Sequence, residues 1–165
     1  MQNINNFAGI PVTNIPNFTT TSVQTNPAKA WHGDIADMHT KFGVNAVVNK
    51  LTPEQLNTYL KFRLDMVQEE VTEAADAFIK GDADGVVDAL IDNIVFAIGT
   101  LDAFNVDPQL AWERVHAANM AKNPGVKEGR PNPYGFPDLI KPAGWTAPTH
   151  VDNVGLIQSA LSAEV

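Results

Sequence analysis

Apolar residues recur at helical spacing through the middle of the chain. Trp31, Ile35, Met38 and Phe42 follow one another at intervals of four, three and four residues. This spacing places them on one face of an amphipathic helix. The pattern predicts a first helix within residues 27–42 that ends at Gly43.

Capping residues predict where three further helices begin and end. Thr52 is an N-cap residue, followed by a proline and by Gln55 at the capping-box position, so a second helix should run to Lys80 and stop at Gly81. A third should run from Asp82 or Ala83 to about Phe104, and Asp107 should cap a fourth. Asn-Pro-Gly at 123–125 ends the fourth helix abruptly.

The two ends of the chain differ from this helical middle. Residues 1–26 are rich in Asn and Thr but carry regularly placed apolar residues, which predicts an extended arm laid over the body or over a neighbouring subunit; a floppy terminus is the alternative. Residues 123–165 are rich in Pro and Gly and predict a docked irregular tail, with a short helix near 154–161. The sequence shows no strand-type alternation long enough to build a sheet. The chain is therefore expected to be all-α, with residues 27–122 as its helical domain.

Composition limits the classes of function. With 165 residues, 44% of them hydrophobic, the chain can bury one core. Its net charge of -8 argues against wrapping nucleic acid, and it has no cysteine for disulfides, thiol catalysis or zinc-thiolate sites. The sequence shows neither an apolar leader nor a run long enough to span a bilayer, so we expect a cytoplasmic protein, in the host cytoplasm if it is viral.

Five carboxylates lie within segments that otherwise have the pattern of packed helices. The second helix has one apolar face that includes Leu60 and Val67, and a second stripe that begins at Tyr59 and Phe62. Glu69, Glu70 and Glu73 continue this second stripe. They are therefore predicted to line a partly enclosed pocket.

The third helix is apolar on all sides, which is typical of a central, buried helix. Asp88 and Asp92 lie one turn apart on one face of it. Buried carboxylates must be protonated, paired with a base or bound to a cation. The two central helices contain only Lys61, Arg63 and Lys80 as bases, and none of these is predicted to lie on the acidic stripe.

A divalent cation is the simplest partner for these acids. Carboxylates from facing helices suit Mg²⁺ or Mn²⁺, whereas the lack of cysteine and the small number of histidines argue against zinc or copper. Five acids are enough for two or more ions. The alternative for any one of them is a solvated surface carboxylate.

The ordered motifs resemble a known family, the all-α nucleoside triphosphate pyrophosphohydrolases of the MazG-like superfamily, which includes phosphoribosyl-ATP pyrophosphohydrolases. The likeness covers roughly residues 31–148. It rests on Glu69–Glu73 as the family's EExxE, on the stretch from Asp88 to Thr100, and on residues 115–122 and 141–145. In one respect the chain departs from the family pattern: the second motif is commonly ExxD, and Ala89 stands three residues before Asp92, so Asp88 would have to substitute.

The resemblance implies a four-to-five-helix bundle and Mg²⁺-dependent cleavage of a nucleoside triphosphate between its α and β phosphates. Glu70, Glu73, Asp88 and Asp92 would hold the ions, and Glu69 or Glu70 would orient or deprotonate the attacking water. Candidate phosphate-binding residues are Asn119 and Lys122 at the end of the fourth helix, and Lys141 and Arg130 in the tail.

Several alternatives remain open from sequence. Lys122 is also an ordinary cation at a helix C-terminus, and Trp145 would either stack on a base or pin the tail. The resemblance implies a dNTP as the substrate, with dGTP or dATP suggested by likeness to phage enzymes of the MazZ type; dUTP and phosphoribosyl-ATP are the alternatives. A non-enzymatic helical oligomer with a structural cation is the competing class. A homodimer or homotetramer is expected for either class, because one protomer cannot cover all the apolar surface.

Overall fold

The computed structural model describes residues 30–127, 129 and 138–163. Within them the chain forms six helices and one small sheet. The helices are α1 (Trp31–Phe42), α2 (Val44–Val48), α3 (Pro53–Lys80), α4 (Ala83–Ala103), α5 (Pro108–Met120) and α6 (Ile157–Leu161). The strands are β1 (Asn123–Gly125) and β2 (Asp138–Ile140). The all-α class is confirmed; the predicted N-terminal arm lies outside the described residues.

The capping signals are confirmed at the helix ends. The Thr52 side chain accepts from the Gln55 amide, and the Gln55 side chain accepts from the Thr52 amide at 2.9 Å, which completes a capping box. Gly81 adopts a left-handed conformation with φ of 71°, as a C-cap glycine should. Asp82 caps α4 and Asp107 caps α5 in the same way as Thr52.

Helices α3 and α4 form an antiparallel hairpin that is the centre of the molecule. They are joined only by Gly81 and Asp82, and α1 packs on α4 beside them. Buried apolar residues gather where α2, α6 and the segment after α4 meet the hairpin, at Val48, Leu56, Leu60, Ala103, Phe104, Val106 and Ala160. This core lies at the end of the hairpin opposite the Gly81 turn.

The tail contains more regular structure than the sequence predicts. Asn123 pairs with Ile140 and Gly125 with Asp138 in an antiparallel ladder, so the expectation that no sheet forms was wrong. Each strand has three residues, too few for alternation to be visible in sequence. The short helix predicted near 154–161 is present as α6. Asn57 of α3 donates to the carbonyl of Ala160 at 2.9 Å and so ties α6 to the hairpin.

The burial predicted for the central helices is only partly correct. Helix α4 is packed on the side that faces α3 and α1, but Val87, Leu90 and Ile91 on its opposite side are 63%, 56% and 48% exposed. On α3 the buried residues are Leu56, Leu60, Glu70 and Ala77, while Leu64, Val71 and Phe78 are exposed. Helix α1 buries Ile35 and His39 and leaves Trp31 and Phe42 exposed. Periodicity identifies apolar faces, but it does not say which of them a single chain covers.

Within the part of the chain that the structure describes, no helix combines the length and the apolar character needed to cross a membrane.

Candidate functional site: a carboxylate layer in the α3–α4 hairpin

The hairpin is built of layers that repeat every seven residues. Arg63, Glu70 and Ala77 are seven apart on α3, and Gly85, Asp92 and Gly99 are seven apart on α4, so each set lies along one side of its helix. A Cβ built on Gly85 would lie 3.2 Å from the Cβ of Ala77, and one built on Gly99 would lie 2.9 Å from Nη2 of Arg63. Glu70 and Asp92 therefore occupy the middle layer, between two layers in which glycine lets the helices approach closely.

Glu70 is the buried member of the acidic group, with 8% of its surface exposed. Burial raises the pKa of its carboxyl above the ordinary value, and the negative charges of Glu73, Asp92, Glu69 and Asp88, in that order, raise it further. The charges of the other four predicted acids therefore act on the Glu70 carboxyl. We call these five residues the carboxylate layer. The structure gathers into one region what the sequence places in two separate motifs.

The other four carboxylates are nearer to water than the sequence suggests. Glu69, Glu73 and Asp88 are exposed and Asp92 is half-buried. The prediction that Asp88 and Asp92 share a buried face was wrong for Asp88, because α4 is covered on one side only. Asp88 is at the rim of the group and Asp92 at its middle.

The donor set suits a hard divalent cation in its chemistry, since it consists of carboxylate oxygens. As the side chains are placed, no three Asp, Glu or His residues among those described converge closely enough to form a metal-ligand group. Binding an ion would require rotamer changes at the exposed carboxylates. Such changes cost little, because exposed side chains exchange rotamers freely.

Arg63 corrects the prediction that no base lies along the acidic side of α3. It is seven residues before Glu70 on the face that meets α4. Its Nε donates to Oγ1 of Thr100 at 3.1 Å and its Nη2 donates to the carbonyl of Phe96 at 3.0 Å. Its bonds are thus to α4 itself, one layer away from the carboxylates.

A second group of predicted residues meets where the tail packs on α5. Nζ of Lys122 donates to Oδ1 of Asn119 at 2.8 Å. The same ammonium group lies 5.4 Å from the ring centre of Trp145, and Nζ of Lys141 lies 4.6 Å from it. Trp145 is held by a 2.7 Å bond from its Nε1 to the carbonyl of Ala118. Asn119, Lys122 and Lys141 therefore form one cationic cluster around an indole.

A bidentate ion pair fixes the tail beside this cluster. Arg114 of α5 donates to the two carboxylate oxygens of Asp152 at 2.6 and 2.7 Å, which lowers the pKa of Asp152 to about 2. A groove of about 820 Å³ lies between α5 and residues 142–149. Among the described residues, no hydrogen bond or ion pair joins the cationic cluster to the carboxylate layer. Arg130, the fourth predicted phosphate ligand, lies outside the described residues.

Comparison with known protein families matches residues 37–119 to the model for phosphoribosyl-ATP pyrophosphohydrolase. The matched segment is half of the chain and includes all five acids. The chain belongs to the phosphoribosyl-ATP pyrophosphohydrolase family. No curated protein matches the chain significantly.

Membership of the phosphoribosyl-ATP pyrophosphohydrolase family places the chain in the MazG-like all-α superfamily and gives it a nucleotide pyrophosphohydrolase-type function. The match contains the whole α3–α4 hairpin and ends at Asn119. Lys122, Lys141 and Trp145 lie beyond its end. The carboxylate layer is thus a feature of the family segment, whereas most of the cationic cluster belongs to the chain that follows it.

Sequence reasoning missed a buried polar pair between α1 and α4, beyond the layer of Arg63 and Gly99. Nδ1 of His39 on α1 lies 2.6 Å from Oδ2 of Asp102 on α4, and Nδ2 of Asn45 lies 3.2 Å from the same oxygen. His39 is 4% exposed. A charged residue on the apolar α4, ten residues after Asp92, was the available signal for this pair. Its partner on α1 could not be found without the fold.

Proposed function

We propose that this chain is a Mg²⁺-dependent nucleotide pyrophosphohydrolase that cleaves a nucleoside triphosphate, dGTP or dATP among its candidates, between the α and β phosphates. The observation that carries the proposal is the carboxylate layer: one buried glutamate, Glu70, surrounded by four further acids within the family segment. Mn²⁺ is the alternative ion. The products are a nucleoside monophosphate and pyrophosphate.

In this proposal Glu70, Glu73, Asp88 and Asp92 hold the cations against the substrate phosphates. Bound there, a divalent cation would offset the phosphate charge and make a nearby water more acidic. The oxygen of that water bonds to phosphorus as the bond to the α–β bridging oxygen breaks, and the proton of the water passes to Glu69 or Glu70. The raised pKa of Glu70 supports its role as proton acceptor, because a base works best when its pKa lies nearer the working pH.

The cationic cluster is proposed to bind the phosphates or the base. Lys122 and Lys141 supply two ammonium groups and Trp145 supplies an aromatic surface at one place. Charge on departing pyrophosphate needs such cations. Asn119 fixes the position of Lys122 and offers a further amide.

The family match also favours a second substrate, phosphoribosyl-ATP, which likewise loses pyrophosphate. The tail that follows the matched segment is the feature that argues for a different substrate, because it brings Trp145 and Lys141 to the end of α5. A direct comparison of substrates separates the two.

The test is a panel of dGTP, dATP, dUTP and phosphoribosyl-ATP with Mg²⁺, in which pyrophosphate and monophosphate are measured. The wild-type protein should release pyrophosphate, and Asp92→Asn and Glu73→Gln should lower the rate by about 10²-fold or more. Glu54→Gln, in the first turn of α3 and 16 residues before Glu70, is the control and should keep the rate.

Three results would contradict parts of the proposal. Full pyrophosphate release by Asp92→Asn would show that the site is elsewhere. Orthophosphate without pyrophosphate would show a different cleaved bond. A lower melting temperature for Glu73→Gln that removes no activity would favour the helical oligomer with a structural cation.

A further inference from the structure

The carboxylate layer cannot hold α3 and α4 together by itself. Its five acids carry like charges, which repel one another when they are ionised. The spacing of the two helices at this layer is therefore set by the layers on either side and by the hydrogen bond that Nδ2 of Asn93 on α4 donates to the carbonyl of Val67 on α3 at 3.2 Å. On the side of the Gly81 turn, that neighbour is the contact of Ala77 with Gly85.

On the other side, the neighbouring layer is built around Arg63. Its guanidinium fits against Gly99, where any Cβ on α4 would lie 2.9 Å from Nη2. The two donors bond to consecutive turns of α4, at Phe96 and Thr100, and the guanidinium carbon lies 5.0 Å from the centre of the Phe96 ring. Two hydrogen bonds thus fix the orientation of the Arg63 guanidinium, in addition to its cation–π contact with the Phe96 ring.

The buried ring of His39 closes the same position from α1. Its Nε2 would lie 3.2 Å from a Cβ on Gly99, so His39 and Arg63 fill the space that this glycine leaves. Asp102 holds the ring through Nδ1. Helices α1, α3 and α4 therefore meet at Gly99, two turns of α4 from Asp92.

We propose that Arg63 is a positioning residue: by bonding to Phe96 and Thr100 through the gap at Gly99, it sets the separation of α3 and α4 at the carboxylate layer. Its effect on cation binding and catalysis rests on the proposed function. Its effect on the distance between the helices does not.

The absence of cysteine allows this distance to be measured directly. Spin labels at Gln68→Cys and Ala97→Cys, both exposed, report the separation of the helices between the carboxylate layer and the Arg63 layer. Labels at Asp76→Cys and Val87→Cys report the separation at the turn end. The labelled protein is mixed with an excess of unlabelled protein, so that an oligomer carries labels on one chain only. Each measured distance then joins two labels of the same chain. Arg63→Met should increase the first distance, or the width of its distribution, by about 1 Å or more. A displacement of this size is large enough to impair catalysis. The second distance should stay unchanged.

Activity supplies the second measurement. The Mg²⁺ concentration for half-maximal pyrophosphate release should rise about tenfold in Arg63→Met, as for other residues that orient ligands. Arg63→Lys keeps the charge but loses the forked geometry, and should behave like Arg63→Met. Lys61→Met, which removes an exposed cation from the same helix, is the control and should match the wild type.

Gly99→Ala tests the same position from α4, and it keeps the test decisive if Arg63→Met does not fold. Alanine favours the helix, but its Cβ would displace Arg63 and His39, so the first distance should again change. Unchanged distances in the folded variants, or recovery of both measurements by Arg63→Lys, would overturn the positioning role. If the wild-type protein cleaves no triphosphate, the proposed function fails while the distances still decide the role of Arg63.

Discussion

At the scale of single residues, the site depends on how differently five carboxylates of similar chemistry are placed. Glu70 is enclosed between two helices, while Glu69 and Glu73, its neighbours in the same motif, remain exposed. Desolvation and the charges around it act together on its pKa. A motif of three glutamates thus contains one enclosed carboxyl with a raised pKa and two exposed carboxyls.

The raised pKa of Glu70 predicts a pH-dependent effect of Glu70→Gln on stability. A carboxyl whose folded pKa exceeds its unfolded pKa binds more protons when folded, so its ionisation destabilises the fold as pH rises from about 4.3 through the folded pKa. Glu70→Gln removes this penalty. In a chelator, the variant should therefore be the more stable protein at neutral pH, with the difference vanishing in acid, and it should lose activity about 10²-fold or more.

Urea unfolding at a series of pH values measures this difference. Glu54→Gln is a control of opposite sign, because a hydrogen bond from the Thr52 side chain lowers the pKa of Glu54. That variant should lose stability at neutral pH and match the wild type in acid. If Glu70→Gln is destabilised at neutral pH, then the carboxylate makes a favourable contact that the like-charge description leaves out.

At the scale of helices and strands, the sequence predicts ends better than faces. Thr52, Asp107 and Gly81 fix helix ends through local bonds, and local bonds are visible in local sequence. The five-residue α2 and the three-residue strands carry no period and were missed. The contacts of Arg63 were missed because its partners, Phe96 and Thr100, are 33 and 37 residues away in the sequence. The acids were found from sequence because one motif brings three of them together.

The contact between α5 and the tail yields a prediction at this scale. If Lys122 and Lys141 bind substrate phosphates, then replacing either by Met should raise KM about tenfold, the loss expected for one charge-assisted hydrogen bond. Lys50→Met, an exposed lysine outside the cluster, should leave KM unchanged. Initial rates at saturating Mg²⁺ provide the measurement. A lower melting temperature with unchanged KM would instead show that the lysines serve only to hold Trp145 and the tail.

At the scale of the whole molecule, the outer face of α4 carries apolar side chains that the described residues leave partly exposed. On the side away from α3, this face consists of the exposed residues Val87, Leu90, Ile91 and Ala97 and the half-buried residues Ile94, Ile98 and Leu101. It runs for about 21 Å at 1.5 Å per residue. An apolar groove of about 670 Å³ between this face, Trp31 and Trp112 continues it toward α1 and α5. Continuous exposed apolar surface of this kind is typical of a face that another protein covers.

We expect a second copy of this chain to cover the outer face of α4, giving the homodimer or homotetramer that the sequence suggested. Ile91→Glu places a charge in the middle of this face and should dissociate the oligomer, because an unpaired charge in an apolar interface is strongly unfavourable. Light scattering after size exclusion, over a range of concentrations, measures the mass. Val151→Glu adds the same charge at an apolar residue that is 81% exposed in the tail, and should leave the mass unchanged. A wild-type protein that stays monomeric at every concentration would contradict this expectation.

If Ile91→Glu is monomeric and still folded, its rate of pyrophosphate release then shows whether one α3–α4 hairpin suffices for catalysis.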